Sequence, residues 1–360
     1  MERHMLQIDN ADPIGRFLRR HDTGAAIAIP FLIFAISCLL DYIQALQDPL
    51  FFDKLTQNTF AIAVRLFIPL MTGAYIWIIK GINKLFKDLS FSGVFSNQEL
   101  MIDRLQGMEP LFRSRSIATV IAVFSCLIAL AKIVCSYLDG CLSPSGQSYF
   151  LDFPGFSFSR APFWFILSYS TGFLLLNTIL TISSLRKLLR VDQISLWLSH
   201  PDGCGGLSPV SKFNLGLAIP FASIGILLSL QIETVFSSGE PDRLIILIIG
   251  ILIYFIAGPL VFILPLSSTH RVMIREKQAE LLRMAEVHGR LFNESVAATS
   301  KSTKDLKDAI TKLEDFNVLY KIVKQFPVWP IERQSAKRFG AIISAPILSS
   351  IILEIIKSAL

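Results

Sequence analysis

The chain has 360 residues, of which 52% are hydrophobic and only 17% charged, with a formal net charge of +6 and a mean hydropathy of +0.55. A soluble domain carries about a quarter charged residues, so this composition excludes an ordinary water-soluble protein. The apolar residues come in membrane-length blocks rather than alternating with polar ones, which argues against a large soluble core and against a β-barrel.

Residues 1–24 form a tail carrying Arg3, Arg16, Arg19 and Arg20. Six predicted spans follow, at 25–46, 60–79, 117–137, 163–185, 213–232 and 244–266. The stretches 161–185 and 244–269 contain no charged residue. Each exceeds the roughly 20 apolar residues that cross about 30 Å of hydrocarbon. Backbone groups in lipid must bond within their own segment, so the spans are predicted to be helices. The expected fold is an all-α integral membrane protein with about six transmembrane helices, a cytoplasmic helical hairpin and an apolar C-terminal helix. The first apolar stretch is longer than a signal-peptide core and lacks a small-residue cleavage site, so no cleavable leader is expected.

Lys and Arg set the orientation. The second loop holds Lys80, Lys84, Lys87, Arg104, Arg113 and Arg115, and the fourth holds Arg186, Lys187, Arg190 and Lys212. The intervening loops hold only Lys54, Arg160 and Arg243, beside Asp48, Asp53, Asp139, Asp152, Glu233, Glu240 and Asp242. This places the N-terminus and the polar segment after the sixth span on the cytoplasmic side of the membrane. The transmembrane domain is then 25–269, with a helical cytoplasmic loop at 80–115. Membrane lipid is one implied partner, and the basic face lies beside its anionic headgroups. Because topology accounts for most of the +6 charge, that charge alone is weak evidence for nucleic acid.

Within the spans, ionisable residues are the usual pointers to function. Asp41, Arg65 and Lys132 fall at one level near the outer ends of the first three helices. They predict either a charged outer vestibule around an axis or a stabilising ion pair of Asp41 with Arg65 or Lys132. The fourth helix adds Ser168, Ser170, Thr171, Asn177, Thr178 and Thr181, suited to helix–helix hydrogen bonds or to a wet path. Cys135 and Cys141 flank the outer end of the third helix, where an oxidising compartment would permit a disulfide; two unpaired thiols are the alternative. In the 80–115 loop, Ser96-Asn-Gln-Glu99 fits a capping box opening a bracket helix through Met101, Leu105 and Met108 that stops at Pro110. No Cys/His spacing suggests a metal site, and no cofactor is expected.

The sharpest local motif is His200-Pro-Asp-Gly-Cys-Gly-Gly-Leu207, just before the fifth span. Pro-Asp-Gly is strong turn chemistry, and Gly203, Gly205 and Gly206 permit positive φ and close backbone approach. Successive amides in such a turn can form an anion nest, with Lys212 nearby. A P-loop is excluded because Gly-Lys-Ser is missing. His200 and Asp202 are the sole catalytic candidates, without a nucleophile or metal set, so no catalytic residue is assigned. The competing reading is a rigid elbow into the fifth helix.

Residues 270–330 predict a helical hairpin. Its second arm carries an apolar stripe at Leu306, Ile310, Leu313, Phe316, Tyr320 and Val323, and it ends at Pro327. Such a hairpin packs on itself or on sister subunits, which makes a homo-oligomer the expected assembly. Residues 331–360 form the apolar C-terminal helix, either interfacial, buried in an oligomer or a seventh span, and a pore-lining role is a further alternative. Glu354 near a bilayer centre would cost roughly 3 kcal/mol, which favours a helix that stays on the cytoplasmic side.

His200-Pro-Asp-x-x-Gly-Gly-Leu207 ahead of a span, with Trp329-Pro-Ile-Glu332 before an apolar tail, resembles a set of bacterial multi-pass inner-membrane proteins over residues 200–216 and 326–360. The architecture as a whole is similar to membrane effectors of anti-phage systems, such as the channel effector of the Hailong system. That resemblance implies an oligomeric ion channel controlled by a nucleotide or single-stranded oligonucleotide on its cytoplasmic side. A non-conducting sensor or scaffold with a cytosolic partner is the alternative.

Overall fold

A computed structural model describes residues 23–47, 59–95, 98–112, 114–137, 154–189, 196, 200–238, 241–298, 303–330 and 333–359, and the statements below concern these. The regular elements among them are all helices: α1 (Thr23–Gln47), α2 (Thr59–Phe91), α3 (Gln98–Phe112), α4 (Arg115–Tyr137), α5 (Pro154–Leu188), α6 (Ser208–Gly216), α7 (Ala218–Ser238), α8 (Pro241–Ala298), α9 (Thr303–Gln325) and α10 (Arg333–Ala359). Five stretches are long and apolar enough to cross a membrane, at 27–46, 63–91, 160–188, 208–232 and 247–297. On α4 a shorter apolar stretch, Arg115–Ala131, lies in a helix that continues to Tyr137. The chain is an all-α multi-pass membrane protein.

Helix α2 is the centre of the bundle. Met71, Tyr75, Ile78, Ile82, Phe86 and Leu89 recur three and four residues apart along it, and all are buried. It packs on α1, α5, α6 and α7, while α4 sits on the far side of α5. The peripheral helices α1 and α4 leave large apolar side chains exposed, among them Phe31, Leu32, Val120 and Phe124. Such faces suit hydrocarbon, where an outward Leu or Phe costs nothing.

At 33 residues α2 is about 50 Å long, more than the hydrocarbon needs, so its last turns stand beyond the basic end of the bundle. A turn at Ser92-Gly93 follows, and α3 then buries Met101, Leu105 and Met108 under α5. Pro110 does not stop this helix, which runs to Phe112, because a proline in the last turn removes only one ladder bond. The Ser96 and Asn97 portion of its capping box lies outside the described residues.

Helix α8 is one continuous run of 58 residues, about 87 Å long. It is both the sixth span and the first arm of the hairpin, and it passes through Pro259 and Pro265 unbroken. Prolines are tolerated inside spans where neighbours satisfy the loosened backbone. Between the two prolines, Asn214 on α6 adds a tertiary bond, its Nδ2 donating to the Phe262 carbonyl at 2.7 Å. Helix α9 returns along α8, burying Phe316 and Val323 of the expected stripe and leaving Ile310 exposed.

The C-terminal helix α10 packs along α7. Phe339 stacks on Phe262, with ring centroids 3.8 Å apart, and one turn on, the Ile343 carbonyl accepts from the Tyr254 hydroxyl at 3.0 Å. The order of these two contacts sets α10 antiparallel to α8. Gly225 makes the Tyr254 contact possible, since a Cβ there would meet the Tyr254 hydroxyl at 2.5 Å.

Candidate functional site

Two polar clusters mark opposite ends of the bundle. At the end away from the basic loops, Asp41 on α1 is buried and accepts a two-pronged bond from Arg65 on α2: Nε to Oδ2 at 2.6 Å and Nη2 to Oδ1 at 3.0 Å. The fork of a guanidinium matches a carboxylate geometrically, which makes this a strong form of ion pair. Arg160 on α5 contacts the same carboxylate through Nη2. Its Nη1 donates to Ser37 Oγ at 2.9 Å, one turn before Asp41 on α1, and its guanidinium stands 5.8 Å from the Phe163 ring centroid. Two cations thus share one anion, leaving one net positive charge among these three side chains.

The Asp41–Arg65 pairing is one of the two pairs expected from sequence. Arg160, by contrast, lies outside the predicted fourth span, which starts at Phe163. The helix in fact begins at Pro154, and proline at a first helical position was the signal for that earlier start. The side chains of Lys132 and Cys135, and all of Cys141, lie outside the described residues.

Below the triad, α5 presents buried Ser170, Asn177, Thr181 and Ser184 along one face, with Thr178 beside them. Ser170 Oγ reaches Thr72 Oγ1 on α2 at 3.5 Å. Thr178 and Thr181 instead donate to carbonyls of their own helix one turn back, Leu174 and Asn177, each at 2.7 Å. Thr178 and Thr181 are thus satisfied within α5, while Asn177 Nδ2 is buried without a hydrogen-bond partner.

At the basic end, the 200–207 turn closes around Asp202. Its carboxylate accepts the amides of Cys204 at 2.8 Å, Gly206 at 3.0 Å and Ser208 at 3.1 Å. His200 Nδ1 lies 2.8 Å from Oδ1 and also accepts the Asp202 amide at 3.2 Å. Partial burial pushes this carboxyl up, but the amide bonds from Gly206, Cys204 and Ser208, together with His200, outweigh it and hold Asp202 below the usual carboxylate range. An external anion at these amides has to displace the carboxylate already there.

Gly203, Gly205 and Gly206 all adopt positive φ, at 63°, 66° and 89°. Gly206 has a second reason to lack a side chain, because a Cβ would meet Val94 Cγ2 at 2.6 Å and the Ser92 carbonyl at 3.0 Å. At Gly205 a Cβ would approach Leu196 and Phe326, each at 3.2 Å. The turn is thus wedged between the end of α2 and the end of the hairpin. Lys212 stands exposed on α6 beyond it.

A third set of contacts, not anticipated from sequence, fastens the hairpin. Lys277 Nζ donates to the Lys324 and Phe326 carbonyls, both at 2.7 Å, placing a cation on the last carbonyls of α9. His270 Nδ1 donates to the Val328 carbonyl at 2.6 Å, and its ring stacks on Trp329 with centroids 3.9 Å apart. One face of the Trp329 ring is thereby covered by protein. Neither contact follows from a local motif, since 58 residues separate His270 from Val328.

No group of three or more His, Cys, Asp or Glu that could hold a metal occurs among the described residues. These sites define a helical membrane protein with a fixed charge cluster at one end and a fastened helical hairpin at the other. Comparison with protein families, with curated proteins and with solved structures returns no match to this chain.

Proposed function

We propose that this protein is an oligomeric ion channel of a bacterial inner membrane, gated from the cytoplasmic side by an anionic ligand of the nucleotide or oligonucleotide class. The observation that carries the reading is the continuity of α8, which is a span over its first half and a hairpin arm over its second. The hairpin's return arm ends at the Lys277 and His270 contacts, and the chain then enters α10, packed along α7. A ligand or partner that tilts the hairpin must therefore move α8, α10 and through them α7. Coupling between distant sites travels through such packed, rigid elements when they have two arrangements to choose between.

Two further features support conduction and an anionic ligand. The Asp41–Arg65–Arg160 cluster leaves a net positive charge at the outer end of the bundle. Helix α5 carries polar side chains along its length, packed within a single copy against α2. Lys80, Lys84, Lys87, Arg186, Lys187 and Lys212 make the cytoplasmic end basic, and the resemblance of the architecture to anti-phage channel effectors adds a setting for such a gate.

The alternative is a non-conducting sensor or scaffold. It is favoured by the Asp202 turn, whose amides are filled from within, and by the mutual satisfaction of Asp41 and its arginines. Ion flux from vesicles containing the purified protein separates the two. Dissipation of an imposed ion gradient that changes when oligonucleotides are added on the cytoplasmic face is expected for the channel. Tight vesicles under every ligand tried, from protein shown to be folded, would leave the sensor.

A further inference from the structure

The long arm of the hairpin carries a second apolar row that α9 does not cover. Leu282, Ala285, Gly289, Phe292 and Val296 fall three and four residues apart on α8, and all five are exposed, with Leu282 at 69%, Phe292 at 52% and Val296 at 54%. Helix α9 lies against the adjoining face, where His288 meets Phe316 with ring centroids 5.9 Å apart. A 3-4 spacing of apolar residues keeps one seam facing a partner helix and is the pattern of a coiled coil.

The occupant of this seam can be argued from its position and charge. Lipid is excluded by distance, because α8 continues unbroken from the apolar layer, and Val296 lies about 40 Å beyond Thr269 at 1.5 Å per residue. A nucleic acid would require a face of one sign. The exposed charges beside the seam alternate instead: Arg283, Glu286, Arg290 and Glu294. Both signs at one-turn intervals are what a copy of the same surface can complement. Gly289 points the same way. A mid-helix glycine costs about 1 kcal/mol against alanine, and a Cβ at this position would meet nothing within 4 Å of its own chain. At the centre of a seam the missing side chain lets two backbones approach closely.

We infer that the Leu282–Val296 seam joins the hairpins of neighbouring copies of this chain as a coiled coil. The inference rests on the oligomeric reading above and gives that oligomer its cytoplasmic contact. The test uses the full-length protein in detergent, with mass measured by light scattering, and a Val296→Cys variant treated with a short bismaleimide. The wild type is expected to run as a multiple of one subunit and the Leu282→Glu/Phe292→Glu double variant as a smaller species with unchanged helix content. Val296→Cys should give a cross-linked dimer that the wild type does not. An unchanged mass in the double variant, a monomeric wild type, or a Val296→Cys protein that never cross-links would overturn the inference. If the double variant fails to fold, the cross-link alone decides. Loss of the seam with ligand-dependent flux retained would leave the channel reading standing; an intact seam in a protein that carries no ions would remove the channel and keep the coiled coil.

Discussion

Asp41 and Asp202 are both carboxylates drawn partly out of water, and the molecule satisfies them in opposite ways. Asp41 depends on two guanidiniums delivered by other helices, one of them 24 residues away and the other on α5. Asp202 depends on backbone amides two to six residues ahead of it. The first cluster holds helices together across the bundle; the second sets a single turn and lets that turn wedge neighbours apart. A carboxylate satisfied at long range reports the fold, whereas one satisfied locally reports only its own motif.

The largest expected effect lies at Asp41. Replacing it by Ala leaves Arg65 and Arg160 without their shared anion inside the span layer, and breaking a buried pair costs about 3–5 kcal/mol. The thermal midpoint in detergent should fall sharply, and substituting both arginines alongside Asp41 should recover part of the loss. A midpoint within a degree of wild type would show that the triad is a solvated vestibule rather than a brace.

Asp202→Ala strands the amides of Cys204, Gly206 and Ser208 at the cost of about 2–4 kcal/mol, less where water reaches them. The same residue carries a pH signature. Its folded pKa lies below its unfolded value, so its contribution is present at neutral pH and is lost as the pH falls through about 4 and below. The stability difference between wild type and Asp202→Ala should therefore shrink in acid, as denaturation at stepped pH would reveal. A difference that grew on acidification would mean the carboxylate is not the form the turn requires.

The glycines sharpen the contrast inside the turn. Gly206→Ala combines positive φ with a clash against Val94 and Ser92, for about 2–3 kcal/mol, while Gly203→Ala bears only the backbone strain, about 1–2 kcal/mol. Equal losses would show that the turn is not wedged against α2. The smallest effect belongs to the hairpin fastening. Lys277→Met removes a cation from the end of α9 and should cost about 0.5–1 kcal/mol, read as faster amide exchange over residues 320–326 with the spans unchanged.

How much of this was legible in the sequence follows the same division. The apolar blocks gave the helices because hydrocarbon imposes length and internal hydrogen bonding, and Pro-Asp-Gly with three glycines announced a tight turn. The occupant of that turn was also local, yet the amides suggested an external anion; Asp202, four residues before Gly206, was the nearer candidate. Arg160 and the Lys277 and His270 contacts were not legible, because their partners are brought close only by helix packing. The seating of α10 was not legible for a related reason. Tyr254 and Phe262, which seat the helix, both lie on α8, and Tyr254 stands 89 residues before its partner Ile343.

The most direct measurement is single-channel recording of the purified protein in planar bilayers, before and after nucleotides or short oligonucleotides are added on the side facing the hairpin. Discrete unitary currents whose open probability shifts with the ligand, and only from that side, are the result the account predicts. Silence under every ligand, from protein shown to be folded and inserted, would contradict it.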